Sequence, residues 1–326
     1  MGEEDNKNQL ENTKERSIII IGSKGVGKTT MAYRFLEKEE IPKPTIAMDY
    51  SFGRKAGKSL VKDVIHIWEV GHLSSSLISA AMTGASLTHS PRHITLVIVL
   101  DLTSPDVLWS ILEESLTAAR CALKMSFSND IIEEMKSHRI NEIRRSSEKQ
   151  IDPFPMKLCI VGGKYDEFKD FDLKKKQIIG RTLRAVTCNL AADLQYYSSK
   201  DSGLVRKMKE LLSHHGFGNH PVKGCCSDYR QALWIPAGTD SFTAIDFVIS
   251  SSRPSSILDI IKRNYENEFP QKSKDTEKEF EDPINDPNFN EPIIDRLRLQ
   301  REEEIAVNLQ DMMEGRTPRI IIPEPY

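Results

Sequence analysis

No uninterrupted apolar run in the 326 residues approaches the roughly 20 needed to span a bilayer, so membrane insertion is not expected. A basic surplus is missing too. Lys and Arg number 45 against 48 Asp and Glu, the formal net charge is -3, and there is neither a basic tail nor an RNP-like motif, which removes nucleic acid from the expected partners. Cysteine is scarce: Cys121, Cys159, Cys188, Cys225 and Cys226 are odd in number and lack ligand-like spacing, as expected of reduced cytosolic thiols. His214, His215 and His220 beside Cys225 and Cys226 match no standard zinc spacing. Residues 1–14 are polar and acidic without an apolar h-region, so no secretory signal is expected. Asn6 stands where myristoylation wants Ser or Thr, and the chain closes on Tyr326 without a prenylation cysteine, so no lipid anchor is expected. No local Ser-His-Asp or Cys-His signature is present, and no catalytic residue is assigned.

What is present is a chain that is 39% apolar, enough for a full core in one large or two small domains. Residues 17–22 (SIIIIG), 94–100 (ITLVIVL), 156–161 (MKLCIV) and 232–236 (ALWIP) are short runs rich in β-branched residues, as strands buried on both faces require. Between them lie helical patterns. Ile179, Leu183, Val186, Leu190 and Leu194 recur at spacings of three and four, and Ser104-Pro105 makes a helix start with Val107, Ile111 and Leu112 on its apolar side. Alternating strands and helices predict a doubly wound, mostly parallel α/β sheet.

Composition changes past residue 265. Residues 266–290 read as an acidic linker, and 291–326 as an amphipathic helix and tail in which Ile294, Leu297, Ile305, Leu309 and Met312 lie near helical spacing. Residues 266–326 hold 16 acidic and 8 basic side chains, a net of -8, leaving +5 for residues 1–265. Such an appendage is either a solvated extension or a docking element for a partner. The expected organisation is a disordered 1–15, one α/β domain over 16–265, then linker and tail.

Gly22-Ser23-Lys24-Gly25-Val26-Gly27-Lys28-Thr29 satisfies the Walker A pattern in full, after one predicted strand and before a helix starting near Thr29, with Thr30 following. The glycines let backbone amides curl round a β-phosphate, Lys28 reaches the β and γ oxygens, and the Thr29 hydroxyl ligates Mg²⁺. The chain is thus expected to contain a P-loop domain of the Ras-like kind. Pro44-Thr45-Ile46-Ala47-Met48-Asp49-Tyr50 resembles the switch I of Rab and Ras GTPases, with Thr45 at the position that ligates Mg²⁺ and senses the γ-phosphate. Residues 64–72 (VIHIWEVGH) resemble the next strand and switch II, with two departures: Glu69 stands two residues before Gly71 where an aspartate stands three before, and His72 takes the place of the water-orienting glutamine. Gly163-Lys164-Tyr165-Asp166 occupies the place of Asn-Lys-x-Asp, keeping Lys164 and Asp166 for the guanine edge and losing the asparagine. Hydrolysis is therefore not expected. The cofactor is expected to be GDP or GTP with Mg²⁺, bound at Gly22, Gly25, Val26, Gly27, Lys28, Thr29, Thr30, Thr45, Glu69, Gly71, Lys164 and Asp166 with Thr29 and Thr45 on the metal, or the site holds none.

Together with the long connections over 101–156 and 166–232, these motifs resemble the dynein light intermediate chain family, on its cytoplasmic dynein 2 branch. The resemblance spans residues 16–326. It implies a non-motor subunit without enzymatic activity of its own, a Ras-like domain packed on the dynein 2 heavy chain with the other dynein 2 subunits. It also implies service to the intraflagellar transport machinery and to cilium assembly, and a place in the cytoplasm, the ciliary axoneme and basal body, and the centrosome. The tail is shorter than the adaptor-binding extensions of the conventional dynein branch. The competing expectation is a Rab-like regulatory GTPase cycling between GDP and GTP. Against it stand the altered switch II spacing, the missing glutamine and the missing lipidated cysteine.

Overall fold

A computed structural model describes residues 15–55, 63–86, 90–143, 151–219, 224–247, 256–272 and 291–316. The expected disordered 1–15 lies outside these except for its last residue, as does most of the expected linker.

Among the described residues seven strands form one sheet: β1 (Glu15–Gly22), β2 (Met48–Lys55), β3 (Asp63–Val70), β4 (Ile94–Asp101), β5 (Lys157–Gly163), β6 (Asp193–Tyr196) and β7 (Trp234–Ile235). Their order is β2-β3-β1-β4-β5-β6-β7. All neighbours are parallel except the edge pairs, where β2 runs against β3 and β7 against β6. The isoleucine run of β1 shows why the strand is central. Ile18 and Ile20 enter the core on one face with Val97 and Met208, while Ile19 and Ile21 enter the core on the other with Met82 and Leu112. A strand that is apolar on both faces has its place only between two helical layers.

The helices are α1 (Lys28–Leu36), α2 (Ser75–Ser86), α3 (Pro105–Ser126), α4 (Asn129–Ile143), α5 (Tyr165–Phe168), α6 (Leu173–Leu190), α7 (Ser202–Phe217), α8 (Phe242–Ile245), α9 (Ile257–Glu268) and α10 (Pro292–Met313). Start signals act locally. The Asp201 carboxylate accepts from the amides of Gly203 and Leu204 to cap α7, and Ser256 with Asp259 forms a capping box on α9.

One helix is shorter than its periodicity predicts. Leu194 continues the spacing of α6, yet it lies in β6. Ala191 takes a left-handed conformation (φ 53°) and the amide of Ala192 returns to the Thr187 carbonyl, closing the helix without the glycine that usually marks such a stop. The run at 232–236 contributes only Trp234 and Ile235 as strand.

The compact unit extends to Ser273, beyond the boundary expected at 265. Tyr265 is fully buried and its hydroxyl donates to the Pro105 carbonyl at 2.8 Å. Gln271 clamps the start of α3: its amide oxygen accepts from the Trp109 amide at 3.0 Å and its Nε2 donates to the Pro105 carbonyl at 3.0 Å. Ser104, expected to cap α3, makes no side-chain cap bond. Gln271 instead braces the helix one turn in, at the Trp109 and Ser110 amides, a contact the local sequence could not disclose.

Residues 274–326 form a separate unit, described from Glu291 to Arg316. α10 is held by its own side chains, including Arg298 Nε on Glu302 at 2.9 Å and Gln300 on Glu304 at 3.2 Å. Ile294, Leu297, Ile305 and Met312 share a face. Leu299, Val307 and Met313 fall outside it, so the apolar residues spread further round the helix than an amphipathic stripe allows. No residue of α10 is buried. None of the described helices is long and apolar enough to cross a membrane.

Candidate nucleotide site

The site stands where parallel strands end and helices begin, at the carboxyl edge of β1, β3, β4 and β5. Gly22 closes β1 at φ 149°, and a Cβ there would lie 2.3 Å from the Val99 carbonyl oxygen of β4. Gly25 and Gly27 are left-handed at φ 77° and 100°, and a Cβ on either would meet nothing within 4 Å, so open space faces the loop. Val26 is buried between them, and α1 starts at Lys28, with Thr29 and Thr30 in its first turn. The loop therefore presents backbone amides and a helix N-terminus to one concavity, the arrangement that holds phosphate.

Lys28 is 5% exposed, and its ammonium donates to the carbonyls of Gly22 (3.1 Å) and Ser23 (3.0 Å). Burial lowers its pKa, and the Glu69 carboxylate opposes that shift. Glu69 is itself 3% exposed. Its Oε1 accepts from the Thr29 hydroxyl at 2.7 Å, while Oε2 is buried with no hydrogen-bond partner among the described residues. Burial raises the Glu69 pKa, opposed by Thr29, Lys28 and Thr45. Thr29 and Thr45, the two groups expected on Mg²⁺, thus converge on Glu69. The longer arm of glutamate spans the spacing that sequence comparison marked as defective.

Gly71 is tightly packed against residues 45–47. Its amide donates to the Ala47 carbonyl at 2.8 Å, and a Cβ at this position would stand 2.1 Å from the Thr45 carbonyl oxygen and 2.7 Å from that of Ile46. Residues 45–47 therefore lie directly on Gly71.

On the base side, Lys164 is left-handed (φ 56°) and its ammonium bonds Asp101 Oδ2 at 2.7 Å. Burial pushes the Asp101 pKa up, but hydrogen bonds from Lys164 and Thr103 outweigh it and leave the group below its ordinary value. Asp166 accepts from the Ser198 hydroxyl and from the Lys200 ammonium, both at 2.7 Å, and these bonds lower its pKa, Lys200 first. Gly163, in the place of asparagine, lies against the phosphate loop: a Cβ on it would approach the Val26 carbonyl to 3.2 Å. Direct packing joins the two loops where an asparagine side chain would have bridged them. Sequence reading did not single out Ser198 and Lys200. The signal was the run Ser198-Ser199-Lys200 just after a strand, but β6 is only four residues long and its pattern was absorbed into the preceding helix.

The phosphate half of the site fits a nucleotide, with positive-φ glycines, a lysine at the floor, and a buried carboxylate oxygen lacking a partner beside two threonine hydroxyls. The base half is held by the chain's own ion pairs.

Glu69→Gln gives a direct test of these electrostatics. Neutralising a buried carboxyl whose pKa is raised removes a desolvation penalty, so Glu69→Gln is expected to be at least as stable as the natural chain near neutral pH. The raised pKa also sets a sign. Stability from this group is fully present below its unfolded pKa and is lost as pH rises through the folded value, a slope Glu69→Gln should remove. Urea unfolding of both proteins at several pH values between acid and neutral measures it, and an unchanged slope would place the origin elsewhere.

A glycine-rich phosphate loop after β1, a mostly parallel seven-stranded sheet and helices on both faces define a Ras-like P-loop domain. Comparison with known proteins narrows the class. The chain is 36% identical over 308 residues to the cytoplasmic dynein 2 light intermediate chain 1 of Bos taurus and to that of Homo sapiens, spanning 89% of this chain and 86% of each relative. The Danio rerio protein of that name is 34% identical over 306 residues, covering 89% and 84%. Among solved structures, the crystal structure of the dynein light intermediate chain's conserved domain shares the fold. Its TM-score is 0.56 and its identity 17%, over 77% of this chain and 97% of that one. No protein-family model matches the chain. The chain belongs to the cytoplasmic dynein 2 light intermediate chain family.

Proposed function

We propose that this chain is the light intermediate chain subunit of a dynein 2 motor. In this reading it binds the dynein 2 heavy chain, assembles with the other subunits of that complex, and supports retrograde intraflagellar transport and cilium assembly. It works in the cytoplasm and at the axoneme, basal body and centrosome. Its membership of the family over nearly the whole chain supports the subunit reading.

The observation that carries the non-cycling half of the proposal is the Gly71 amide bonded to the Ala47 carbonyl at 2.8 Å. A nucleotide switch works by a differential contact with the γ-phosphate in one state, and an effector with no differential contact shifts nothing. A switch II glycine whose amide is spent on its own chain, with His72 where a water-orienting amide would stand, supports a domain that does not cycle. The phosphate loop remains a place for GDP or GTP, with Lys28 and the loop amides on the phosphates and Thr29, Thr45 and Glu69 around Mg²⁺. The bound nucleotide would supply negative charge to the loop amides and bind Mg²⁺. The chain's own residues would orient that charge and exclude water from it, without turnover.

Co-expression of the full chain with the dynein 2 heavy chain tests the subunit reading. The expected result is stoichiometric co-elution in size-exclusion chromatography, with Lys28→Ala reporting on the nucleotide released on denaturation. Separate elution under conditions where the chain is folded, or phosphate release from GTP at the rate of an assisted GTPase, would favour the Rab-like reading.

A further inference from the structure

The pole of the sheet opposite the phosphate loop carries a second cluster of charge. There β1, β4 and β5 begin side by side, with Arg16 pairing across to β3, His93 just before β4, and Lys157 opening β5 against Thr95 of β4. α4 passes over these strand starts. Between them lies a cavity of about 270 Å³, lined by Arg16, Arg92, Arg139 and Lys157 with Glu142 as its one carboxylate. Arg92 is offset from outside by Glu134, so Arg16, Arg139 and Lys157 against Glu142 leave a surplus of two positive charges among the lining residues, with Asp63 and Asp193 nearby and the imidazoles of His93 and His138 beside them.

The internal pairing of these groups is incomplete. Arg139 donates to the Ala191 carbonyl at 2.8 Å and pairs with Glu142, yet its Nε is buried with no hydrogen-bond partner among the described residues. Arg92 is paired outward with Glu134. The Lys157 ammonium has no hydrogen bond or ion pair among the described residues. Burial lowers its pKa, Glu142 and Asp193 oppose that, and the neighbouring Arg16 and Arg139 reinforce it. Gathering like charges round a half-buried cavity destabilises the fold unless something of opposite charge completes it.

We propose that this cavity is a binding site for a phosphoryl group, either free phosphate or the monoester of a small metabolite. Charge and size select that class. A phosphate dianion offsets the surplus where a single carboxylate would not, and guanidinium forks with a lysine point charge are the donors that phosphoryl oxygens accept best. The volume lies just below the usual range for small-ligand pockets, as suits a small anion. Because this pole is remote from residues 22–29, the proposal stands independently of the nucleotide reading.

Isothermal titration of the full-length Lys28→Ala chain, whose phosphate loop is disabled, tests it with two probes, inorganic phosphate and glycerol 3-phosphate. The expected result is saturable 1:1 binding that falls about tenfold or more on adding Lys157→Gln, and weakens with salt. Tighter binding of glycerol 3-phosphate would mark the monoester as the source, and tighter binding of inorganic phosphate the free anion. Arg16→Gln on the same background guards against a local fault of the Lys157 variant, and thermal unfolding without ligand shows that each variant folds. No saturable heat in the folded Lys28→Ala chain would overturn the proposal. So would equal affinity after both substitutions, or equal competition by a short glutamate peptide.

Discussion

Gly71→Ala is expected to cost about 3 kcal/mol of stability and to lower the melting temperature by on the order of 5–10 °C. Nothing in the backbone angles forbids alanine there; space does. The added methyl would stand 2.1 Å from the Thr45 carbonyl oxygen and 2.7 Å from that of Ile46, both main-chain atoms that cannot swing aside. Relief requires residues 45–47 to lift away, which breaks the Gly71 to Ala47 hydrogen bond and separates Thr45 from Glu69. Differential scanning calorimetry, with hydrogen exchange at Ala47 and Gly71, measures both parts. In an active switch the same glycine faces a phosphate and the segment carrying the threonine is already loose, so the substitution would impair nucleotide response while leaving apo stability nearly intact. An unchanged melting temperature with altered GTP affinity would therefore return the chain to the Rab-like reading.

The parts of this molecule that sequence reading reached are those where one strong physical demand fixes residue type. Phosphate binding demands glycine, lysine and threonine at set offsets, so the loop from Gly22 to Thr29 was legible. Burial on both faces demands unbroken apolar runs, so β1, β4 and β5 were found close to their observed ends. Weaker demands left weaker traces. β2 is an edge strand with Met48, Tyr50 and Phe52 exposed, and its alternation carries no core signal. The end of α6 was missed because Ala191 adopts the capping conformation that sequence rules assign to glycine.

In the site, the residues themselves were legible and their pairings were not. Glu69 was read as a misplaced carboxylate, since spacing counts residues and not side-chain length. One extra methylene carries its Oε1 to 2.7 Å from the Thr29 hydroxyl. Asp166 is expected at a base edge from its place in the motif, and the structure adds that Ser198 and Lys200 hold it from a loop some thirty positions onward. Such pairings follow from the register of β6 on β5, a tertiary fact that no local window contains.

The largest single loss of stability is expected from Asp240→Ala. Arg184 projects from α6 and forms a two-pronged pair with Asp240, Nε to Oδ2 at 2.8 Å and Nη2 to Oδ1 at 2.9 Å, while its Nη1 donates to the Tyr229 hydroxyl at 2.8 Å. Both side chains are nearly sealed from water, 7% and 8% exposed. Removing one partner strands a buried charge, which costs about 3–5 kcal/mol, against about 1 kcal/mol or less for an exposed pair such as Lys262 with Glu113. The consequence is local as well as global. Among the described residues β7 pairs with β6 only through Leu194 to Ile235 and Gln195 to Trp234, so Arg184 adds a polar anchor to the hold that Leu233, Ile235 and Phe242 give residues 224–247 by burial in the core. Urea unfolding of Asp240→Ala beside Glu113→Ala measures the difference, and hydrogen exchange locates it. An apolar double replacement, Arg184→Met with Asp240→Leu, should recover much of the loss, because the penalty lies in the unpaired charge and not in the absence of the bond. If Asp240→Ala cost no more than Glu113→Ala, the pair would be hydrated in solution and residues 224–247 would be held by the core burial of Leu233, Ile235 and Phe242 and by the Ala237 amide on Asp193.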